Sequence, residues 1–200
     1  MHLFPKRLRK LLIAILIINS ILIMSVHSAL GQAAGENKDE NLDLQILLTK
    51  KQAFDLAFPG ADKVKREKHW TTAEERTKIG EICLQEIKAR RFNFYVGKKG
   101  GKPMGYALID HIIGKSFPIT FITMLNVDGS VKDIEIMVYR EPRGWEVKYE
   151  SFLSQFFGKN ALSDYREINS ITGATLSVRA VISGVSKAAA AYKVLYLDKK

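Results

Sequence analysis

The chain has 200 residues, a length that suits one domain preceded by a leader. Its net charge is +10, but residues 1–33 hold four basic and no acidic residues, which leaves 27 basic against 21 acidic, or +6. No nucleic-acid-reading motif accompanies this dispersed charge, so we expect no nucleic-acid partner; an acidic redox partner or an anionic lipid surface is the alternative. The single cysteine, Cys83, excludes a disulfide framework and an iron–sulfur cluster within the chain, and the histidines lack metal-ligand spacing.

Residues 1–33 have the pattern of a targeting segment. A basic start precedes an apolar run of 14 residues, Leu11 to Met24, and small residues follow. This order is typical of a secretory signal peptide. Counting on through Leu30 gives 20 residues, close to the ~20 that a spanning helix needs, so an uncleaved membrane anchor is the alternative. In either case, we expect the rest of the chain to be exported, to the periplasm or the extracytoplasmic face of the membrane.

Residues 34–48 are polar and acidic and predict a linker, which places the folded domain at 49–200. Thr49 and Gln52 then form a capping-box pattern, which predicts a short helix over Lys50–Ala57.

A second capping box, Thr72 to Glu75, predicts a helix to about Ala89, with Cys83 on its buried stripe. Beyond that helix the apolar pattern changes to a period of two, and Asp128-Gly129 is the strongest hairpin signal. Four strands are predicted, at 92–96, 104–113, 117–127 and 131–139. The sequence therefore predicts an α+β fold, with an antiparallel sheet of about four or more strands packed with helices.

Residues 140–144 break the last strand, and a short helix is expected at about 149–157. A polar turn then runs into a long apolar helix from Leu176 to Leu195. Ser170 and Thr172 are hydroxyl residues of the kind that cap helix N-termini. A helix start of this kind suits an anion such as a phosphate, because its first amides and its dipole are both positive.

The order of residues in this turn resembles the attachment motif of the FMN-binding domain family, roughly Asp-x-x-Ser/Thr-Gly-Ala-Thr-x-Ser/Thr. That family includes the covalently flavinylated subunits of the sodium-translocating NADH:quinone reductase and of the related ferredoxin:NAD oxidoreductase complex. Asn169 stands where the family usually has Asp. Two further segments appear in the family's order: Glu141-Pro142-Arg143-Gly144, similar to its Glu-(Thr)-Pro-Gly turn but with Arg143 inserted, and Phe156-Phe157-Gly158-Lys159. The similarity covers roughly residues 90–195.

The resemblance implies that Thr175 carries FMN through a phosphoester made by a dedicated flavin transferase. It also implies electron transfer between redox partner proteins that are themselves bound to the membrane. The residues expected around the cofactor are Asn169, Ser170, Thr172, Gly173, Ala174, Leu176, Ser177, Glu141, Arg143 and Gly144. Four aromatic residues are candidates to flank the flavin ring, although core packing explains at least two of them better: Tyr139, Trp145, Phe156 and Phe157.

No nicotinamide-binding fingerprint or second redox centre is visible in the sequence, which favours a relay over a complete dehydrogenase. Two alternatives stay open. One is an exported sensory or binding module that keeps the fold without redox activity. The other is a small FMN-dependent reductase of an external substrate.

Overall fold

A computed structural model describes residues 44–199, so the predicted leader and most of the predicted linker lie outside the described residues. Six antiparallel strands form one sheet in the order β1-β6-β5-β4-β3-β2. The predicted α+β fold is therefore confirmed. The strands are β1 (Gln45–Ile46), β2 (Lys63–Trp70), β3 (Arg91–Lys99), β4 (Lys102–Ile113), β5 (Pro118–Leu125) and β6 (Val131–Tyr139).

Four α-helices accompany the sheet: α1 (Lys50–Ala57), α2 (Ala73–Cys83), α3 (Glu150–Leu153) and α4 (Thr175–Tyr192). Both predicted capping boxes are present, at Thr49 and at Thr72, with the reciprocal side-chain and backbone hydrogen bonds. The α3 helix continues into a 3-10 turn, Ser154–Phe156, and α4 continues into a wider π-type turn, Lys193–Leu197. No helix within residues 44–199 combines the length and the apolar character needed to cross a membrane.

The predicted end of the second helix, at about Ala89, is wrong. The helix stops at Cys83 because Leu84 adopts a left-handed backbone conformation with φ of 53°, while its N–H donates to the Gly80 carbonyl. Ile87, which falls within the predicted range of this helix, is buried but lies beyond its observed end. The chain then reaches β3 by an irregular segment.

The strand β2 was not predicted from the sequence. It forms one edge of the sheet and pairs with β3 from Lys63↔Lys98 to Trp70↔Arg91. Most of its residues are charged and exposed on both faces, so the alternation of apolar and polar residues that marks a half-buried strand is missing. At the other edge, β1 pairs with β6, so residues 45–48 at the end of the predicted linker lie within the fold.

The long helix α4 packs on one face of the sheet and α1 on the other. Four consecutive alanines, Ala188 to Ala191, are fully buried, which lets α4 approach the sheet closely. Beneath α1, the side chains of Ala53, Ala57 and Phe58 contact Ile122 and the methionines of β5 and β6. Packing of α4 on its face of the sheet places the start of this helix next to the end of β6. The candidate site lies at that point.

Candidate functional site

A cleft of about 340 Å³ opens where β6 ends and α4 begins. Three segments that are distant in sequence line it: the loop between β4 and β5, the turn after β6, and the start of α4. The lining residues are Lys115, Glu141, Pro142, Arg143, Gly173, Ala174, Thr175, Leu176 and Ser177. Most of the residues predicted from the sequence therefore lie together, and Lys115 is an addition that the sequence did not reveal.

The start of α4 differs from the sequence-based expectation. Neither Ser170 nor Thr172 caps the helix; the N-cap residue is Ala174, and no described side chain caps the first turn. Gly173 precedes it with φ of +83°, a conformation that favours glycine. The first amides of α4 have no intrahelical partner, and without a capping side chain they stay available to an anion.

Thr175 is the first residue of α4, and its side chain is exposed to the cleft. Its hydroxyl forms no hydrogen bond with any described residue. A free hydroxyl at the positive end of a helix is well placed for esterification by a phosphate.

Ser177 lies at the junction between the first turn of α4 and the turn after β6. It is buried, and its hydroxyl lies 2.9 Å from the hydroxyl of Tyr139, which donates a hydrogen bond of 2.7 Å to the Arg143 carbonyl. Tyr139 has one phenolic proton, and it donates that proton to the Arg143 carbonyl. The Ser177 hydroxyl is therefore the donor in its hydrogen bond with the Tyr139 oxygen. The hydrogen bonds of Tyr139 to Arg143 and Ser177 join the turn after β6 to the first turn of α4.

Gly144 is required at this junction. Its φ is +84°, and a Cβ atom there would lie 2.7 Å from the Ser177 Oγ and 3.0 Å from the Tyr139 hydroxyl. Burial raises the pKa of Tyr139, and the nearby carboxylates of Glu141 and Glu146 raise it further. Tyr139 therefore stays protonated and remains a hydrogen-bond donor at physiological pH.

Glu141 ties the turn to the loop between β4 and β5. Its side chain is 3% exposed, and its Oε1 accepts hydrogen bonds from the amides of Ser116 (2.7 Å) and Phe117 (3.0 Å). The same loop is closed by a bond from the Gly114 amide to the Phe117 carbonyl. Two backbone donors satisfy the buried carboxylate and hold Lys115 at the cleft.

Lys115 and Arg143 make the cleft electropositive. Both are exposed, and neither side chain forms a hydrogen bond or an ion pair with any residue in the described range. The one acidic residue among those that line the cleft, Glu141, already accepts two amides. Two unpaired cations, the uncapped helix start and a free hydroxyl together fit the phosphate of FMN.

Other predicted residues lie outside the cleft lining. Asn169 donates its backbone amide to the Gln155 Oε1 at 2.7 Å, and Ser170 and Thr172 are exposed in the turn before α4. Among the four aromatic candidates, Tyr139 and Phe156 are fully buried in the core, whereas Trp145 and Phe157 are partly exposed but do not line the cleft.

A larger cavity, of about 740 Å³, lies between the end of α2, the middle of α4 and residues 162–168. Its lining includes Cys83, Tyr165 and Arg179 but none of the residues predicted for the cofactor. Burial raises the pKa of the Cys83 thiol, which donates to the Ile79 carbonyl. This is the behaviour of a structural cysteine rather than a reactive one.

Residues 114–190 match the family model described as the FMN-binding domain. The matched segment contains the entire lining of the cleft, from Lys115 to Ser177. The resemblance seen in the sequence is therefore confirmed over residues 114–190.

Two curated relatives share this similarity. The chain is 27% identical over 136 residues to a subunit of the Na(+)-translocating ferredoxin:NAD(+) oxidoreductase complex of Acetobacterium woodii, covering 62% of this chain and 66% of the relative. It is 29% identical over 106 residues to a subunit of the proton-translocating ferredoxin:NAD(+) oxidoreductase complex of Clostridium ljungdahlii, covering 48% and 57%. The matched part thus spans just under two thirds of the first relative and somewhat over half of the second.

Proposed function

We propose that this chain is an exported flavoprotein that carries FMN covalently, through a phosphoester on Thr175, and relays electrons between redox partner proteins. One observation carries the proposal: the free hydroxyl of Thr175 lies at an uncapped helix start, in a cleft with two unpaired cations. FMN, when bound, supplies the electron-carrying ring, and the protein supplies binding and electrostatics.

The residues of the cleft have distinct tasks in this proposal. Thr175 provides the ester oxygen, so the flavin cannot dissociate outside the cytoplasm, where free FMN is scarce. Lys115 and Arg143 neutralise the phosphate, together with the first amides of α4. Tyr139 and Ser177 keep the turn that bears Arg143 against the helix, and Glu141 keeps Lys115 in place.

The partners follow from the relatives and from the sequence. Both relatives are subunits of ferredoxin:NAD(+) oxidoreductase complexes, which supports membrane-bound redox proteins as the electron donor and acceptor. A flavin transferase is required for maturation. It would move the FMN phosphoryl group from an activated flavin phosphoanhydride to the Thr175 oxygen, so that the anhydride P–O bond breaks, the remaining phosphate group leaves and the hydroxyl proton is released. Export follows from the basic and apolar pattern of residues 1–33.

Intact mass and peptide mapping test the attachment site, on protein exported from a host that has the flavin transferase. We expect the added mass of an FMN phosphoester on the peptide that contains Thr175, and none in Thr175→Val. Thr77→Val is the matched control and keeps full occupancy, because Thr77 is exposed on α2, outside both the motif and the cleft. Full flavin occupancy in Thr175→Val, or unmodified wild type where another flavoprotein is modified, contradicts the proposal.

Turnover distinguishes a relay from a stand-alone reductase. A relay, once reduced, passes electrons to a partner protein but shows no catalytic turnover with small-molecule acceptors alone. Sustained reduction of a small acceptor without any partner protein would favour the reductase instead.

A further inference from the structure

The edge strand β2 carries an unbalanced positive charge. Its four basic residues form no ion pair or hydrogen bond through their side chains with any residue in the described range. The one acidic residue of the strand, Glu67, accepts a hydrogen bond of 3.0 Å from the Tyr196 hydroxyl. The four basic residues are Lys63, Lys65, Arg66 and Lys68.

A tryptophan lies at the end of this strand. Trp70 is 70% exposed and shares one face of the sheet with Arg66 and Lys68, since alternate residues of a strand point the same way. The guanidinium of Arg91, its cross-strand partner, lies 5.3 Å from the centre of the indole ring. These four residues form what we call the Trp70 face, and the other cross-strand partners on it are uncharged: Tyr95 and Asn93.

Basic residues on an edge strand commonly prevent association with other sheets. That role explains the charges of β2, but it does not explain the large, mostly exposed aromatic side chain of Trp70 at the end of the same strand. Tryptophan concentrates at the interface between membrane and water, and lysine and arginine are attracted to anionic lipid headgroups. A surface with both features is complementary to an anionic bilayer.

We propose that the Trp70 face binds the surface of an anionic phospholipid bilayer. This binding does not depend on the flavin, because the cleft lies at the end of β6, which three strands separate from β2 in the sheet. At about 4.8 Å per strand the two sites are roughly 19 Å apart across the sheet, so contact with the bilayer leaves the cleft accessible.

The fluorescence of Trp70 tests this proposal in the full chain, because it reports on this face and not on the leader. The sequence contains two tryptophans, so Trp145→Phe leaves Trp70 as the single emitter. With vesicles of dibrominated phosphatidylglycerol, we expect a blue shift and quenching of its emission. With dibrominated phosphatidylcholine, we expect neither.

Variants with reversed charge on the Trp70 face provide a second test of the proposal. Arg66→Glu with Lys68→Glu, in the Trp145→Phe background, should lower the affinity for phosphatidylglycerol vesicles at least tenfold and remove the quenching. Lys78→Glu, on the exposed side of α2, is the control and should leave both unchanged. Any of three results overturns the proposal. Trp70 of the Trp145→Phe protein is not quenched, both lipids quench it equally, or quenching persists in the variant with Arg66→Glu and Lys68→Glu. Absence of quenching would favour an acidic protein, rather than a bilayer, as the partner that binds the Trp70 face.

Discussion

Replacing Tyr139 by phenylalanine tests the junction between the turn after β6 and α4. The change removes one hydroxyl and leaves the buried ring in place. Two hydrogen bonds are lost with it: the one donated to the Arg143 carbonyl at 2.7 Å and the one accepted from Ser177 at 2.9 Å. The Arg143 carbonyl and the Ser177 hydroxyl then lack a hydrogen-bond partner among the described residues.

The expected cost follows from the burial of those groups. An unsatisfied buried polar group costs about 1–3 kcal/mol, and the Arg143 carbonyl is only partly buried. We therefore expect Tyr139→Phe to lower the free energy of unfolding by about 2 kcal/mol. For a domain of this size each kcal/mol corresponds to roughly 2–4 °C, so the melting temperature should fall by about 4–8 °C.

Urea unfolding of the unflavinylated protein measures this cost without interference from the cofactor. Ser177→Ala and the double variant complete a cycle, in which we expect a coupling of about 0.5–1.5 kcal/mol because the two hydroxyls contact each other. Tyr149→Phe is the control: that side chain is 46% exposed, its hydroxyl has no hydrogen bond with a described residue, and the change should stay within about 0.5 kcal/mol. A cost for Tyr139→Phe as small as that of the control refutes the reasoning.

The same variant should also slow flavinylation, because the turn that bears Arg143 is then less firmly held. A time course of the added flavin mass, at a temperature where the variant stays folded, checks this. An unchanged rate, together with the expected loss of stability, would show that the junction serves the fold alone.

Four further predictions concern the rest of the molecule. Lys115→Met should slow flavinylation by about tenfold, because one charge-assisted contact to the phosphate is lost. The control Lys78→Met should not slow it. Equal flavinylation rates for the two variants would show that Lys115 does not contribute to the site. Gly184→Ala should destabilise the domain by about 1–3 kcal/mol in urea unfolding, because its Cβ atom would lie 2.3 Å from the Phe121 ring. NMR titration should give Asp164 a pKa of about 2, owing to the hydrogen bond from Arg166, and Arg166→Gln should return it toward 3.8; an unchanged value would rule out that pairing. Burial lowers the pKa of His69 below its usual 6.5, so its contribution to stability should be present above pH 6.5 and lost as the pH falls below it. An NMR midpoint at or above 6.5 would contradict this assignment.

The sequence was sufficient for several features whose determining contacts are local. Both capping boxes form between residues three apart, and the Asp128-Gly129 turn joins neighbouring strands, so short patterns located them correctly. The candidate attachment motif is also contiguous, so its resemblance to the family motif was enough to name Thr175 as the candidate residue. Net charge and the single cysteine likewise required no structure.

Only the tertiary structure decided features that depend on residues far apart in the chain. The strand β2 exists because β3 supplies its hydrogen-bond partners, although its own charged sequence shows no strand pattern. Lys115 joins the cleft because Glu141 binds the amides of its loop. Ser177, which is in the motif, faces Tyr139 because β6 ends beside the first turn of α4. The sequence by itself determined which residue is the candidate for flavin attachment, whereas packing between distant segments determined which side chains surround it.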